Sequence, residues 1–249
     1  MNPHIYILIL NWNGKNVLKP CLDTVLAIDY ANYTTLVIDN NSSDGSREMV
    51  KNSYPDIEYL QLERNYGFAG GYNRCFDYLR EKDPEYILLL NNDTEVQPAI
   101  LNSFIKAVEN YGKHHIYGAK IFYHKNPQKI WYAGGKVNIK LGWISHKGIR
   151  KMDSEKYSFP ITTDYITGCC LFIAWEKMQQ LRGFDDQFHM FGEDVDLCLR
   201  AKKEGIQCYY WPDAQLQHHV SASLGGHLKI GKLFRKSLSL FKLYWKHNF

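Results

Sequence analysis

The chain has 249 residues, 45% of them apolar and 22% charged, close to a soluble globular average and long enough for one large α/β domain. Its net charge of +4 is too small for a dedicated nucleic-acid binder, and no nucleic-acid partner is expected. The excess is local: Val220 to Phe249 holds six Lys/Arg and no Asp/Glu, which leaves the first 219 residues at −2. The longest apolar runs, Ile5–Leu10 and Tyr86–Leu90, fall far short of the roughly 18 residues of a membrane span. Asn11-Trp12-Asn13-Gly14 ends the first run too early for a signal peptide, so the expectation is a cytoplasmic protein. Six scattered cysteines without a C-x-x-C pair read as reduced thiols packed as small hydrophobes.

Along the first ninety residues, short aliphatic runs alternate with helical patterns. Ile5–Leu10 predicts a buried strand and Asn16–Ala27 a helix with Val17, Leu18, Cys21, Leu22, Val25 and Leu26 on one face. Thr34–Ile38 predicts a second strand, and the capping-rich Asp39–Gly45 leads into a helix over Ser46–Asn52. Ile57–Leu62 reads as a third strand, Gly67–Gly71 as a loop that opens a helix running through Arg80, and Tyr86–Leu90 as a fourth strand. Nearly continuous apolar strands in this alternation predict a parallel sheet covered on both faces. Such sheets collect ligands at the carboxyl ends of their strands, which here carry Asn11/Trp12/Asn13, Asp39/Asn40, Arg64/Asn65 and Asn91/Asn92/Asp93.

Beyond residue 115 the pattern loosens toward a mixed sheet. Tyr117–Tyr123, Ile130–Ala133 and Tyr165–Ile173 read as strands, Phe191–Gly205 as a helix, and Cys208–Trp211 as a last short strand closed by Pro212. Asp196 can pair with Arg200 one helical turn on.

Five segments could carry chemistry. Asp93 and Glu95, two residues apart after the fourth strand, can face one hard cation whose other positions go to phosphate oxygens and water. Asp185, Asp186, Glu193, Asp194 and Asp196 place five carboxylates within twelve residues; acids also cap helices, but one at a helix N-terminus can serve as a general base. His218 and His219 are potential metal ligands or ordinary hydrogen-bonded histidines. Asn65–Asn73 matches neither a G-x-G-x-x-G fingerprint nor a P-loop, yet Gly70-Gly71 would let a phosphate or ring approach the backbone. In His227–Phe249, Ile230, Phe234, Leu238, Phe241 and Trp245 share one helical face, with Lys229, Lys232, Arg235, Lys236 and Lys246 largely elsewhere. That pattern suits a helix on an anionic membrane or one packed on its own domain.

Eight stretches, in order and in register, resemble the inverting, metal-dependent glycosyltransferases of family 2 with the GT-A fold, and among them the bacterial rhamnosyltransferase-like branch. They are ILNWNG (9–14), VIDNNSSDGS (37–46), RNYGFAGGYN (64–73), LLLNNDTEV (88–96), GCCLFI (168–173), GFDDQF (183–188), GEDVDLCLR (192–200) and HHVSASLGG (218–226). The resemblance implies a Rossmann-like α/β fold with a mostly parallel central sheet flanked by helices and a smaller mixed acceptor-side sheet. It implies a GT-A domain over 1–226, with a nucleotide-sugar half at 1–96 and an acceptor and catalytic half at 97–226, followed by a basic amphipathic helix at 227–249.

Carried over by position, the resemblance puts Asp39 at the nucleobase or ribose of a dTDP- or UDP-sugar, beside Asn11, Trp12 and Asn13. Arg64, Asn65, Gly67, Gly70, Gly71, Asn73 and Asn92 would line the donor pocket. Asp93 would hold Mg²⁺ or Mn²⁺ on the diphosphate, with Glu95 and His218 as further ligands. Asp194 matches the family's general base, and Glu193 would orient the acceptor hydroxyl. The paired aspartates of the family's metal motif stand here as Asn91 and Asn92 before the single Asp93, so the site carries less negative charge. The implied reaction moves a sugar, rhamnose from dTDP-rhamnose first and hexoses from UDP second, onto a saccharide or lipid-linked acceptor in surface polysaccharide synthesis. The basic C-terminal segment suggests peripheral contact with the cytoplasmic face of the inner membrane. A glycoside hydrolase would not need the strand-end constellation around Asp39. A nucleotidyltransferase would need a Gly/Arg-rich phosphate loop where Asn13-Gly14-Lys15-Asn16 stands, and a non-catalytic carbohydrate-binding protein would not need both Asp93 and Asp194.

Overall fold

The computed structural model describes residues 2–188, 191–220 and 229–248, with the side chains of 229–236 and 248 outside the description. The chain opens with β1 (Ile5–Asn11), α1 (Lys15–Leu26), β2 (Tyr33–Asp39), α2 (Ser46–Ser53), β3 (Glu58–Gln61), α3 (Gly67–Leu79) and β4 (Tyr86–Asn91). Next come β5 (Thr94–Val96), α4 (Ile100–Tyr111), β6 (Ile116–Tyr123), β7 (Asn126–Tyr132), β8 (Gly135–Asn138), β9 (Trp143–His146) and β10 (Ile161–Thr163). The chain closes with β11 (Cys170–Ala174), α5 (Trp175–Gln180), α6 (Glu193–Lys203), β12 (Cys208–His218) and α7 (Lys229–Asn248).

Strands β3, β2, β1 and β4 lie side by side and parallel. Their side chains alternate between two cores. Ile5, Ile7, Ile9, Leu88 and Leu90 enter one with residues of α1 and α4, whereas Tyr6, Leu8, Ile87 and Leu89 enter the other with residues of α3 and α6. Burial on both faces is why these strands read as unbroken aliphatic runs. The register pairs Asn11 with Asp39 and Leu10 with Asn91, so the polar strand ends form one row along the sheet edge.

The sheet becomes mixed past β4 and stays continuous, with ten strands in all; β8 and β9 form a separate two-stranded hairpin. β11 runs antiparallel to both β4 and β6, and β12 runs parallel to β6 and antiparallel to β5 and β10. β5, β8, β9, β10 and α5 are not assigned by the sequence reading, the loop expected over Gly67–Gly71 is already the start of α3, and three further elements differ from the sequence expectations. α4, which the sequence reading leaves unassigned, buries Ile100, Leu101, Phe104 and Ala107 at helical spacing. The strand expected over Tyr165–Ile173 begins only at Cys170. β12 does not stop at Pro212: its register shifts between Trp211 and Gln215, a bulge that absorbs the missing N–H, and the strand runs on to His218.

α7 lies on the body through Ser239 and Leu243, while Leu238, Phe241, Tyr244 and Trp245 are exposed. The boundary expected at 226/227, the Ser221–Gly226 part of the last motif stretch, and the side chains of Lys229, Ile230, Lys232, Phe234, Arg235 and Lys236 lie outside the described residues.

Candidate active site

A cleft of 860 Å³ opens over the carboxyl ends of β1 and β4, within the size range of small-molecule sites. Its floor is a hydrogen-bonded chain. Asn92 Nδ2 donates to Asn11 Oδ1 at 2.7 Å, and Asn11 Nδ2 donates to Asp39 Oδ1 at 3.2 Å. Gly14 makes this possible: a Cβ there would stand 2.2 Å from Asn92 Nδ2 and 2.6 Å from Asn11 Oδ1. Asp39 is fully buried and also accepts bonds from Ser42 and Gln61, so it stands beneath the cleft as the anchor of its floor.

Of the other donor-side residues, Trp12, Asn65, Gly67, Asn92 and Asp93 line the cleft. Trp12 is 50% exposed, a ring available for stacking. Arg64 lies over the Tyr66 ring and is not part of the lining. Gly70 and Gly71 accommodate side chains: a Cβ on Gly71 would meet Leu10 Cδ1 at 2.7 Å, and one on Gly70 would meet Tyr66 Cβ at 3.1 Å. Asn73 ties α3 to the 183–186 loop, donating to Phe184 O at 2.8 Å and to Asp186 Oδ1 at 2.6 Å. Asn13 reaches the backbone N–H of Ser43 through Oδ1 at 2.8 Å, and its own N–H bonds Ser42 Oγ.

Asp93, 2% exposed, has its Oδ1 3.1 Å from His218 Nε2. The antiparallel pairing of β5 with β12 sets His218 opposite Thr94 and thereby beside Asp93. His218 Nδ1 is buried with no hydrogen-bond partner among the described residues, and the Trp131 ring stands edge-on 4.5 Å away. A buried carboxylate and a buried imidazole at this spacing form a donor set suited to a divalent cation such as Mn²⁺. Glu95 faces elsewhere, toward His219 and His124.

Also in the lining, Phe191 (φ 72) and Gly192 (φ 91) take left-handed conformations and turn the chain into the first turn of α6. Strain of this kind at a non-glycine residue is characteristic of functional sites. Glu193 and Asp194 line the cleft from that turn. Asp194 Oδ2 accepts the N–H of Gly168 at 3.1 Å and Oδ1 that of Val195 at 2.8 Å. Gly168 is fixed by packing, since a Cβ would lie 2.8 Å from Phe68 Cζ. Burial raises the Asp194 carboxyl, and these backbone N–H groups restrain the rise. Burial, and then the charge of Asp194, raises Glu193 well above the carboxylate range, and its Oε2 has no hydrogen-bond partner among the described residues. Of the pair, Glu193 is the one pushed further up, and Asp194 is the one whose charged form backbone N–H groups support.

Asp196, one turn on, is withdrawn from the cleft. The expected bond from Arg200 is present at 2.8 Å, and α7 adds Lys246 Nζ at 2.7 Å and His247 Nε2 at 2.8 Å. The sequence reading did not single out the rest of the lining. Trp131, Trp143 and His146 join the lining from β7 and the β8–β9 hairpin, as do Ser239 and Leu243 from α7. The only sequence signal for them is the aromatic content of 14%.

The pattern of the family described as "Glycosyl transferase family 2" matches residues 6–176, and that of the "N-terminal domain of galactosyltransferase" matches residues 149–222. Rhamnosyltransferase WbbL of Escherichia coli (strain K12) is 27% identical over 225 residues, covering 87% of this chain and 83% of that protein. The N-acetylglucosaminyl-diphospho-decaprenol L-rhamnosyltransferase of Mycobacterium tuberculosis is 25% identical over 213 residues, 77% of this chain and 68% of that one. Among solved structures, GalNAc-T7 with UDP, GalNAc and Mn²⁺ superposes with a TM-score of 0.71 at 15% identity, over 87% of this chain and 44% of that one. The mannosyltransferase PcManGT of Pyrobaculum calidifontis, with GDP-Man and Mn²⁺, gives 0.68 at 15% identity, over 99% of this chain and 64% of that one. Those two likenesses bear on the fold alone, and it is the GT-A fold. With more than half of its length matched by the family pattern, the chain belongs to glycosyl transferase family 2 and is a glycosyltransferase.

Proposed function

We propose that this glycosyltransferase moves a sugar from a nucleoside-diphosphate donor to a saccharide or lipid-linked hydroxyl with inversion at the anomeric carbon, and that the donor is dTDP-rhamnose. The observation that carries the reading is the presence, in the lining of one cleft, of both the Asp93–His218 pair and the Glu193–Asp194 pair. The rhamnosyltransferase names of the two curated relatives support the choice of sugar, with UDP-hexoses as the second donor class.

The nucleoside end lies over Trp12 and Asn65, on the floor that Asp39, Asn11 and Asn92 hold in place. Asp93 and His218 would hold Mn²⁺ or Mg²⁺, which would supply charge neutralisation for the departing diphosphate. Asp194, aimed by the N–H groups of Gly168 and Val195, takes the proton from the acceptor hydroxyl as that oxygen attacks. Its raised proton affinity makes it a stronger base than a solvent-exposed aspartate. Glu193, protonated, donates a hydrogen bond to the acceptor and orients it. Holding donor and acceptor in line supplies much of the remaining rate. No described helix is long and apolar enough to cross a membrane. The exposed Leu238, Phe241, Tyr244 and Trp245 of α7, in a segment rich in Lys and Arg and free of acids, support peripheral contact with an anionic bilayer.

The test is nucleoside-diphosphate release from dTDP-rhamnose, UDP-glucose, UDP-galactose, UDP-N-acetylglucosamine and GDP-mannose, with Mn²⁺ and with EDTA. Metal-dependent release from dTDP-rhamnose supports the reading. Release from another donor alone replaces the sugar, and release unaffected by EDTA overturns the role given to Asp93 and His218.

A further inference from the structure

Beside the catalytic pair lies a second cluster that the transfer reaction does not use. Glu95 in β5, His124 just after β6 and His219 just after β12 stand on adjacent strands, their ligand atoms all within 4.8 Å of one another. Glu95 Oε1 lies 2.6 Å from His219 Nε2 and 3.4 Å from His124 Nδ1, and the two imidazoles stack with centroids 3.6 Å apart. The cluster lies outside the lining of the cleft. Tyr123 and His218 line that cleft whereas the adjacent His124 and His219 do not, as the alternation of side chains along a strand requires, and Glu95 joins the two outer histidines through its contacts with both.

The polar accounting of the cluster does not close. One carboxylate oxygen serves both rings. It takes the short bond from His219, and His124 Nδ1 is left buried with no hydrogen-bond partner among the described residues. Two imidazole nitrogens and a carboxylate oxygen are the donor set of a His₂Glu zinc site, with a water left to complete four ligands. The stacked rings do not yet converge, since a shared ion must lie near both ring planes. A turn of one ring about its Cβ–Cγ bond is the adjustment required.

We propose that Glu95, His124 and His219 bind a borderline divalent transition metal, Zn²⁺ first among them, at a site separate from Asp93 and His218. The bond partners indicate its purpose. The N–H of His219 donates to Asp93 O at 2.8 Å and that of His124 to His218 O at 3.1 Å, so an ion here clamps the strand ends that present the catalytic pair. It acts as a positioning device, outside the reacting atoms. The proposal is independent of which sugar is transferred, because its test reads metal and not turnover.

The full chain, stripped with EDTA and dialysed, is titrated with Co²⁺ alone, and the visible d–d bands of four-coordinate cobalt are followed and then displaced with Zn²⁺. The bands are expected in the native chain and in the Asp93→Asn/His218→Asn double variant. They are expected to be lost in His124→Gln and in Glu95→Gln, each checked for native circular dichroism. Should His124→Gln fail to fold, Glu95→Gln and His219→Gln decide. Bands that persist in these single variants, that vanish only in the Asp93/His218 double variant, or that never form in the native chain would overturn the proposal.

Discussion

His247 Nε2 lies 2.8 Å from Asp196 Oδ1, and this contact fastens the C-terminal helix to the helix that presents Glu193 and Asp194. Burial alone would raise Asp196, but His247, Lys246 and Arg200 together hold it down at about 2, from an ordinary 3.8. A depressed carboxylate stabilises the fold above its unfolded pKa, and that contribution fades as pH falls from about 4 toward 2. Asp196→Asn should therefore cost on the order of 2 kcal/mol near neutral pH. Urea midpoints measured from pH 7 downward should show the gap between variant and native chain closing on acidification; a gap independent of pH would contradict the assignment.

Asp194→Asn should lower transfer by about 10²–10⁴-fold, the usual worth of a general base. Glu193→Gln should cost less than about tenfold, because a buried, protonated carboxyl and an amide both donate a hydrogen bond. Turnover should also fall on the acid side at a higher pH than an exposed aspartate would give, since burial raises Asp194 and protonation removes the base. Equal losses in the two variants would refute the division of roles.

Gly14→Ala should act on the donor, not on the chemistry. The added Cβ would collide with Asn92 Nδ2 and Asn11 Oδ1 and break the chain that begins at Asp39. Overpacking of this kind costs about 1–3 kcal/mol. The donor KM should rise while kcat from saturating donor changes little; an unchanged KM would show that the floor does not position the nucleotide.

The parallel half of the fold was legible in the sequence because β1, β2 and β4 are largely buried on both faces and stand out as apolar runs stopped by Asn and Asp, while β3 is a half-buried edge strand with a weaker pattern. The second half was less so. Pro212 reads as a stop, yet a bulge carries β12 past it and brings His218 to Asp93. Local pattern likewise does not show where Glu95 turns, because its partners His124 and His219 come from two other strands. The strand-end position of Asp39 is legible in the sequence, but the bonds that Asn11, Ser42 and Gln61 make to it are not, because they come from three other segments. The lining residues Trp131, Trp143 and Leu243 are assembled by long-range folding, and no short motif announces them.

Replacing Leu238, Phe241, Tyr244 and Trp245 by serine should release the chain from phosphatidylglycerol vesicles in a flotation assay without altering its fold, since all four are exposed. Binding to anionic vesicles should also weaken with salt, as attraction through a basic segment requires. Flotation of the fourfold variant equal to that of the native chain would remove the membrane from the account.

The most direct test is the melting temperature with dTDP-rhamnose and Mn²⁺ for the native chain, Asp93→Asn and Asp194→Asn, read alongside turnover. A donor at about a hundred times its Kd stabilises by about 2.7 kcal/mol, which should raise the native melting temperature by several degrees. Asp194→Asn should keep that shift and lose turnover, whereas Asp93→Asn should lose both. A full shift in Asp93→Asn, or normal turnover in Asp194→Asn, would contradict the assignment of the metal to Asp93 and of the base to Asp194.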